Sequence, residues 1–322
     1  MKNLFKNVTT LLLVLMLVVL AGCTANEAPS EPTPIEPIGL EDQNQVDDNV
    51  NLQVTYPLEI ENKFGKITVI ESEPNSVISF SPETTEIMFE INVGDKLIGR
   101  STFCNYPVEA SEIRDFGTLF DYNIESVVEA NPDLVILSSM VGEDNYNAFK
   151  NLGLNVLVLD FDDSFEGTYE YITVLGQVFN RVEEAEGLIA DMENVVNHVI
   201  ETTKALEKPN AYFIVWAGSG DSTATGDTFI GEMMELAGAN NVAADGQNWM
   251  YSVELLVEKD PDILIAPDYL VDMLYDLEGY KDLTALNEGR IYSVNEDIYY
   301  RQGPRLREAI AELASIFHPD KF

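Results

Sequence analysis

Histidine and cysteine are nearly absent from this chain, with two of each in 322 residues. Neither His198 nor His318 has an Asp or Ser at a spacing that suggests a hydrolytic relay. Two imidazoles are also too few for the multi-histidine sites that hold bare zinc or manganese, so no metal ligand is assigned. Phosphate-cradling and nucleophile motifs are missing as well. No G-x-x-x-x-G-K-[ST] occurs, and "AGSGDS" (217–222) lacks the G-x-S-x-G of a nucleophile elbow. It reads instead as a loop at a strand's C-terminal end. The chain therefore does not read as an enzyme, and neither a catalytic residue nor a cofactor is assigned. The rival from another class is an α/β surface hydrolase, which would need a nucleophile and a base in one pocket.

Positive charge is scarce too. Lys and Arg total 18 against 56 Asp and Glu, a net charge of −38. Such a surface repels nucleic acid and anionic lipid, so no nucleic-acid partner is expected.

Long apolar runs are missing except for "LLLVLMLVVL" (11–20), which follows Lys2 and Lys6. Ten residues are too few to span a bilayer but suit a secretory leader. The leader ends in "LAGC" (20–23), and a small-residue run before Cys resembles the lipobox of bacterial lipoproteins. The expectation is a signal peptide over 1–22, acylation of Cys23, and contact with the cell membrane through that lipid alone, on the outward face. An ordinary cleaved leader with an incidental Cys is the alternative. With Cys23 lipidated, Cys104 has no partner, so no disulfide is expected and Cys104 reads as a packing residue.

Residues 23–55 are rich in Pro, Glu, Asp and Asn and poor in large apolar groups, which predicts a disordered tether. Beyond it the period changes repeatedly. After a hairpin pattern, "YPLEIENKFGKITVIES", the runs "SVISF", "KLIGR", "DLVIL" and "NVLVLD" alternate with helical patterns. Alternation of this kind predicts a mostly parallel sheet covered on both faces. Ser81-Pro82 reads as an N-cap and first-turn pair. From 168 to 205 apolar residues recur at helical spacing, interrupted by Gly176 and Gly187, and then the first pattern restarts with "AYFIVWA". The expected organisation is an N-terminal α/β lobe over 56–167, a long connecting helix over 168–205 and a C-terminal α/β lobe over 206–322.

One device occurs twice. "IESVVEANPDLVIL" (124–137) and "VELLVEKDPDILIA" (253–266) share a helix, a Pro-Asp turn and a buried strand, each with a Glu near its head, Glu125 and Glu254. Each Glu suits the dipole at a helix N-terminus.

Four separated stretches, in order, look like the substrate-binding proteins of iron-chelate and cobalamin ABC importers. They are "SVISFSPETTEIMFEINVGDKLIGRSTFCNYP", "NIESVVEANPDLVIL", "TGDTFIGEMMELAGANNVA" and "RQGPRLREAIAELASIFHP", and the similarity spans about 66–322. The resemblance implies an α/β fold of two Rossmann-like lobes joined by one rigid helix, with a ligand cleft between them. It implies a monomer that delivers its ligand to an ABC permease dimer with ATPase subunits, with Glu125 and Glu254 meeting permease arginines. The ligand it implies is a metal chelate, with a corrinoid such as cobalamin first, a ferric siderophore close behind and heme third. Loops matching the family's cleft contain Phe103, Tyr106, Leu119, Phe120, Trp249, Tyr251, Tyr299, Tyr300 and Arg301, and Trp216 ends a strand where it could line core or cleft. Aromatics there suit a large, flat, partly apolar ligand, and an Arg suits a carboxylate or phosphate. The aromatics before the two docking glutamates stand one position away from those of the cobalamin-binding relative, with Leu119 and Trp249 at the shifted sites.

Overall fold

The structure, a computed structural model, describes residues 53–218 and 220–322. The leader, Cys23 and nearly all of the tether lie outside the described residues. A hairpin of β1 (Leu58–Glu61) and β2 (Ile67–Ile70) comes first. The N-terminal lobe follows with β3 (Val77–Phe80), α1 (Pro82–Glu90), β4 (Leu97–Arg100), α2 (Ile124–Ala130), β5 (Leu134–Leu137), α3 (Glu143–Asn151) and β6 (Val156–Val158). Its strands are parallel, in the order β4-β3-β5-β6. The Ser81 hydroxyl accepts from the Thr84 N–H and Pro82 opens α1, as the sequence predicts.

Two helices, α4 (Phe165–Val178) and α5 (Val182–Thr203), lead to the C-terminal lobe. The lobe comprises β7 (Asn210–Trp216), β8 (Ser222–Thr223), α6 (Phe229–Leu236), β9 (Asn240–Asn241), α7 (Val253–Lys259), β10 (Ile263–Pro267), α8 (Asp268–Leu274), α9 (Thr284–Asn287), β11 (Ile291–Val294), α10 (Glu296–Tyr300) and α11 (Leu306–Phe317). The sheet runs β11-β10-β7-β8 with β9 also on β7, and every pair is parallel except β7 with β8.

The single helix expected over 168–205 is thus corrected to two. The break falls at Asn180, whose backbone is left-handed (φ 53), a conformation Asn adopts readily. Neither glycine breaks a helix. Gly187 lies within α5 with nothing near its missing side chain, whereas a Cβ on Gly176 would stand 2.5 Å from the Ala185 Cβ. Gly176 is therefore where α4 and α5 approach each other closely.

The repeated device folds the same way twice. Asn123 caps α2 and Ser252 caps α7 through side-chain oxygens, and each helix ends on a left-handed residue, Asn131 (φ 46) or Asp260 (φ 39). Proline then prevents the helix from resuming. The following Asp ties the turn to the neighbouring strand: the Asp133 Oδ2 accepts from the N–H groups of Asn75 and Ser76, both at 2.9 Å, and the Asp262 Oδ2 accepts from Asn210 at 2.9 Å.

Strand alternation sorts the core. Leu134 and Ile136 of β5, Ala211 and Phe213 of β7, and Ile265 of β10 face one large cluster that also takes in α1, α4, α5, α6 and α11. Their neighbours Val135, Leu137, Tyr212, Ile214 and Leu264 face separate clusters on the outer side of each sheet. The lobes therefore share one continuous apolar core.

Hydrogen bonds from Asn75 and Ser76 hold the Asp133 carboxyl below the usual aspartate range. A depressed folded-state pKa adds stability above the unfolded value near ~3.9, and that contribution disappears as pH falls through the folded value. Because Asp133 is exposed and screened, Asp133→Ala is expected to cost only about 1 kcal/mol at pH 7. Urea unfolding at a series of pH values should show that gap narrowing below about pH 4.

Candidate ligand cleft

In parallel α/β sheets, the loops leaving the C-terminal ends of strands are where ligands meet the fold. Here those ends converge from both lobes on a cavity of about 330 Å³ that opens to solvent. β5 leads into Ser138, Ser139 and Met140, and β6 leads into Leu159, Asp160 and Phe161, all lining it. The C-terminal lobe contributes Phe229, Trp249, Tyr300 and Gln302, and Tyr171 of α4 reaches it as well. Tyr171 is fixed there by the Ser81 hydroxyl at 3.2 Å and by the hydroxyl of Thr84, the same residues that begin α1.

Trp249 is held in the left-handed region, φ 63, directly after Asn248 at φ 55. For a bulky aromatic this conformation stores backbone strain of about 1–3 kcal/mol, which persists only where the surroundings enforce it. They do so here. The Asp227 carboxylate accepts from the Asn248 N–H at 2.8 Å, the Thr225 hydroxyl accepts from the Trp249 N–H at 3.2 Å, and the Trp249 carbonyl accepts from the Thr223 N–H at 2.9 Å. Bonds from the Thr225 hydroxyl and the Asn248 N–H keep Asp227 below its ordinary pKa. The indole stands edge to face with Phe229, centroids 5.7 Å apart.

The carboxylates lining the cavity are those of Glu83, Asp160 and Asp163, and among the described residues no Lys, Arg or His lines it. Burial pushes the Glu83 carboxyl upward, against the hydrogen bonds of its own N–H and of Ser81. Desolvation raises Asp163, and the nearby Asp227 and Asp160 raise it further.

The arginine expected to meet a ligand is already occupied. Arg301 is 9% exposed; its Nη1 donates to Glu86 Oε1 and to Asn105 Oδ1, both at 2.9 Å, and its Nη2 lies 2.6 Å from Asp297. Arg305 meets the same Glu86 with two parallel bonds, at 2.8 and 2.6 Å. Glu86 belongs to α1 and both arginines follow α10, so this buried cluster crosses from lobe to lobe. Tyr106, expected in the cleft, instead lies under the Arg305 guanidinium, 4.1 Å from its centre.

Among the other expected cleft residues, Trp249 and Tyr300 line the cavity. Trp216 lies beside it: half exposed, its ring faces Tyr269 at 6.4 Å, and the Tyr300 hydroxyl donates to the adjacent Val215 carbonyl at 2.8 Å. Phe103 and Phe120 are exposed on N-terminal-lobe loops and do not line the cavity, and Leu119 is buried. Tyr299 is corrected from cleft to core. It is fully buried against Phe213, with its hydroxyl on Glu312 at 2.6 Å, because adjacent positions on a short helix point about 100° apart and only Tyr300 turns outward. Tyr251 likewise packs into the outer core beside Tyr212, below the Lys259 ammonium. Glu125 and Glu254 are both exposed at the second residue of their helices, and Glu254 accepts from the Ser252 hydroxyl at 2.5 Å, which lowers its pKa. Cys104 is buried, and burial raises its thiol pKa. His198 is exposed on α5 and His318 is buried on the Gly238 carbonyl at 3.0 Å; neither lines the cavity.

Sequence reading missed Glu83, Asp160, Phe161 and Asp163. The signal available was position, since Asp160 and Phe161 leave β6 at its C-terminal end, and Glu83 sits one residue into the helix that follows β3.

Removing one partner of a buried ionic cluster leaves the others uncompensated. Glu86→Ala is expected to lower unfolding free energy by about 3 kcal/mol in urea titration. Arg305→Lys should recover little of the wild-type value, because an ammonium cannot supply two parallel donors to one carboxylate.

Residues 77–298 match the periplasmic binding protein family. An ABC transporter substrate-binding lipoprotein of Bacillus subtilis (strain 168), YvrC, is 30% identical over 275 residues, covering 83% of this chain and 87% of its own. A cobalamin-binding protein of Halobacterium salinarum is 25% identical over 288 residues, 82% of this chain and 75% of its own. Among solved structures, a possible iron-binding, periplasmic solute-binding protein of Staphylococcus epidermidis aligns with a TM-score of 0.68 at 26% identity, over 76% of this chain and 99% of that one. By that match, and with two α/β lobes and a cavity at their facing strand ends, this chain belongs to the periplasmic binding protein family, whose members bind solutes for transport and are not enzymes.

Proposed function

We propose that this protein captures a metal chelate at the cavity between its lobes and presents it to an ABC permease. The observation that carries the reading is the aromatic lining supplied from both sides: Phe161 and Tyr171 from one, Phe229, Trp249 and Tyr300 from the other. Such walls suit a large, flat, partly apolar ligand, one face or edge of which fits about 330 Å³ while the rest stands in the open mouth. A corrinoid is the favoured ligand, in keeping with the cobalamin-binding relative; a ferric siderophore is next and heme third. Acylation at Cys23 would hold the protein on the outer face of the membrane, as the description of YvrC as a lipoprotein supports. Among the described residues no helix is long and apolar enough to cross a membrane. Docking to the permease would use Glu125 and Glu254, equivalent exposed carboxylates, one per lobe.

Tryptophan-fluorescence titration against cobalamin, cobinamide, heme and a panel of ferric siderophores tests the ligand. Tight corrinoid binding is expected, with Trp249→Ala weakening it roughly tenfold or more through loss of a buried aromatic contact. Tight binding of heme alone would reverse the ranking.

Glu125→Ala and Glu254→Ala should leave ligand affinity and Tm unchanged while uptake by cells falls, further in the double variant. Normal uptake with a lowered Tm in both would make them helix-terminus residues only.

A further inference from the structure

Resting on the chelate reading above, we propose that the cleft selects by charge: it takes chelates whose outward surface is neutral or cationic and rejects those bearing peripheral carboxylates or other anionic groups. Glu83 and Asp163 are the specificity-determining residues.

The cavity offers an anion nothing to pair with. Its charged lining consists of Glu83, Asp160 and Asp163, and the arginines of the surrounding elements are held by other groups. Arg301 and Arg305 are bound to Glu86. Arg100 lies 3.5 Å from Asp115 and donates to the carbonyls of Ile113, Ser101 and Ser111. Arg114 covers the Phe116 ring at 4.5 Å. Lys63 donates to the Ser139 carbonyl at the cavity's edge and does not line it. Releasing an arginine to meet an anion would break the interlobe cluster, leaving Glu86 buried without its partner.

Glu83 lines the cavity and among the described residues makes no ion pair, so its carboxylate gains a partner from a cationic group there and meets like charge in an anionic one. The carboxylates are not placed for a bare metal, since among the described residues no group of three or more His, Cys, Asp or Glu could hold one ion. Their complement is a positive group on a bulky molecule that the aromatic walls also grip.

Two scaffolds, each made with a cationic, a neutral and an anionic periphery, separate this inference from the reading beneath it. One is cyanocobalamin, its aminoalkyl amide and its monocarboxylic acid; the other is ferrioxamine B, with its free ammonium, and the N-acetyl and N-succinyl derivatives. On a scaffold that binds, affinity should fall from cationic to neutral to anionic by roughly tenfold per step, and the steps should shrink at high salt. In Glu83→Gln/Asp163→Asn, checked for unchanged Tm, the spread should collapse to within roughly threefold. Anionic members binding as tightly as cationic ones, a ladder insensitive to salt, or a ladder unchanged in the double variant would each overturn the charge selection while leaving the chelate reading standing. Tight binding of heme, whose two propionates are peripheral carboxylates, with no member of either series bound would overturn the charge selection. Absence of binding by heme and by every member of both series overturns the chelate reading, and this inference with it.

Discussion

The interaction on which the arrangement depends is the carboxylate of Glu86, 2% exposed, gripped by Arg301 and Arg305 across the boundary between lobes. Asp297, at the solvent edge of the cluster, supplies a second negative charge to Arg301. Burial opposes charge on Arg305, and the hydrogen bond and charge of Glu86, with Asp297 and Tyr106, together more than offset it. Taking three charges from water is costly, and such a cluster is weak evidence of net stabilisation. Its effect is geometric: the bidentate fork of Arg305 accepts Glu86 in one orientation only, which fixes α1 against α11. The apolar core running through α4, α5 and α11 sets the same relation independently. Both constraints hold the lobes in the same mutual position.

Those arginines also decide what the cleft is made of. In a chain with 18 basic residues, each one committed to a structural contact is withheld from the binding surface. Arg301, the residue a family resemblance would assign to the ligand, is consumed in joining the lobes. The cavity is left with aromatic faces and carboxylates, and the acidic bias of the sequence becomes a property of the site rather than of solubility alone.

Fold was more legible in the sequence than site. The strands "SVISF", "DLVIL" and "NVLVLD" were readable because a buried parallel strand is an uninterrupted apolar run, and α1 because Ser81-Pro82 caps it. The two-residue strands β8 and β9 carry no periodic signal, and the break at Asn180 was hidden because apolar spacing continues on both sides of it. Of the aromatics singled out in the sequence, Trp249 and Tyr300 line the cavity. Tyr299 was misplaced because a doublet in sequence does not say which member faces inward, a matter of helix phase. Arg301 was misassigned because its partner Glu86 lies more than two hundred residues away, beyond any local pattern. Glu83, Asp160 and Asp163 were lost among 56 acidic residues, where composition gives no reason to single out three.

The duplicated device shows where function can reside in such a fold. Its helix cap, left-handed C-terminus, Pro-Asp turn and strand are the same in both lobes, down to the aspartate that accepts from the neighbouring strand. Those features satisfy backbone groups and leave little room for variation. The exits of the strands are under no such constraint, and there the lobes diverge. The N-terminal side brings serines and carboxylates together with Phe161 and Tyr171 to the cavity, and the C-terminal lobe brings Phe229, Trp249 and Tyr300. A ligand touching only the C-terminal wall would meet apolar grip without charge. Full complementarity requires both lobes at once, and the Glu86 cluster is what keeps the two walls facing each other.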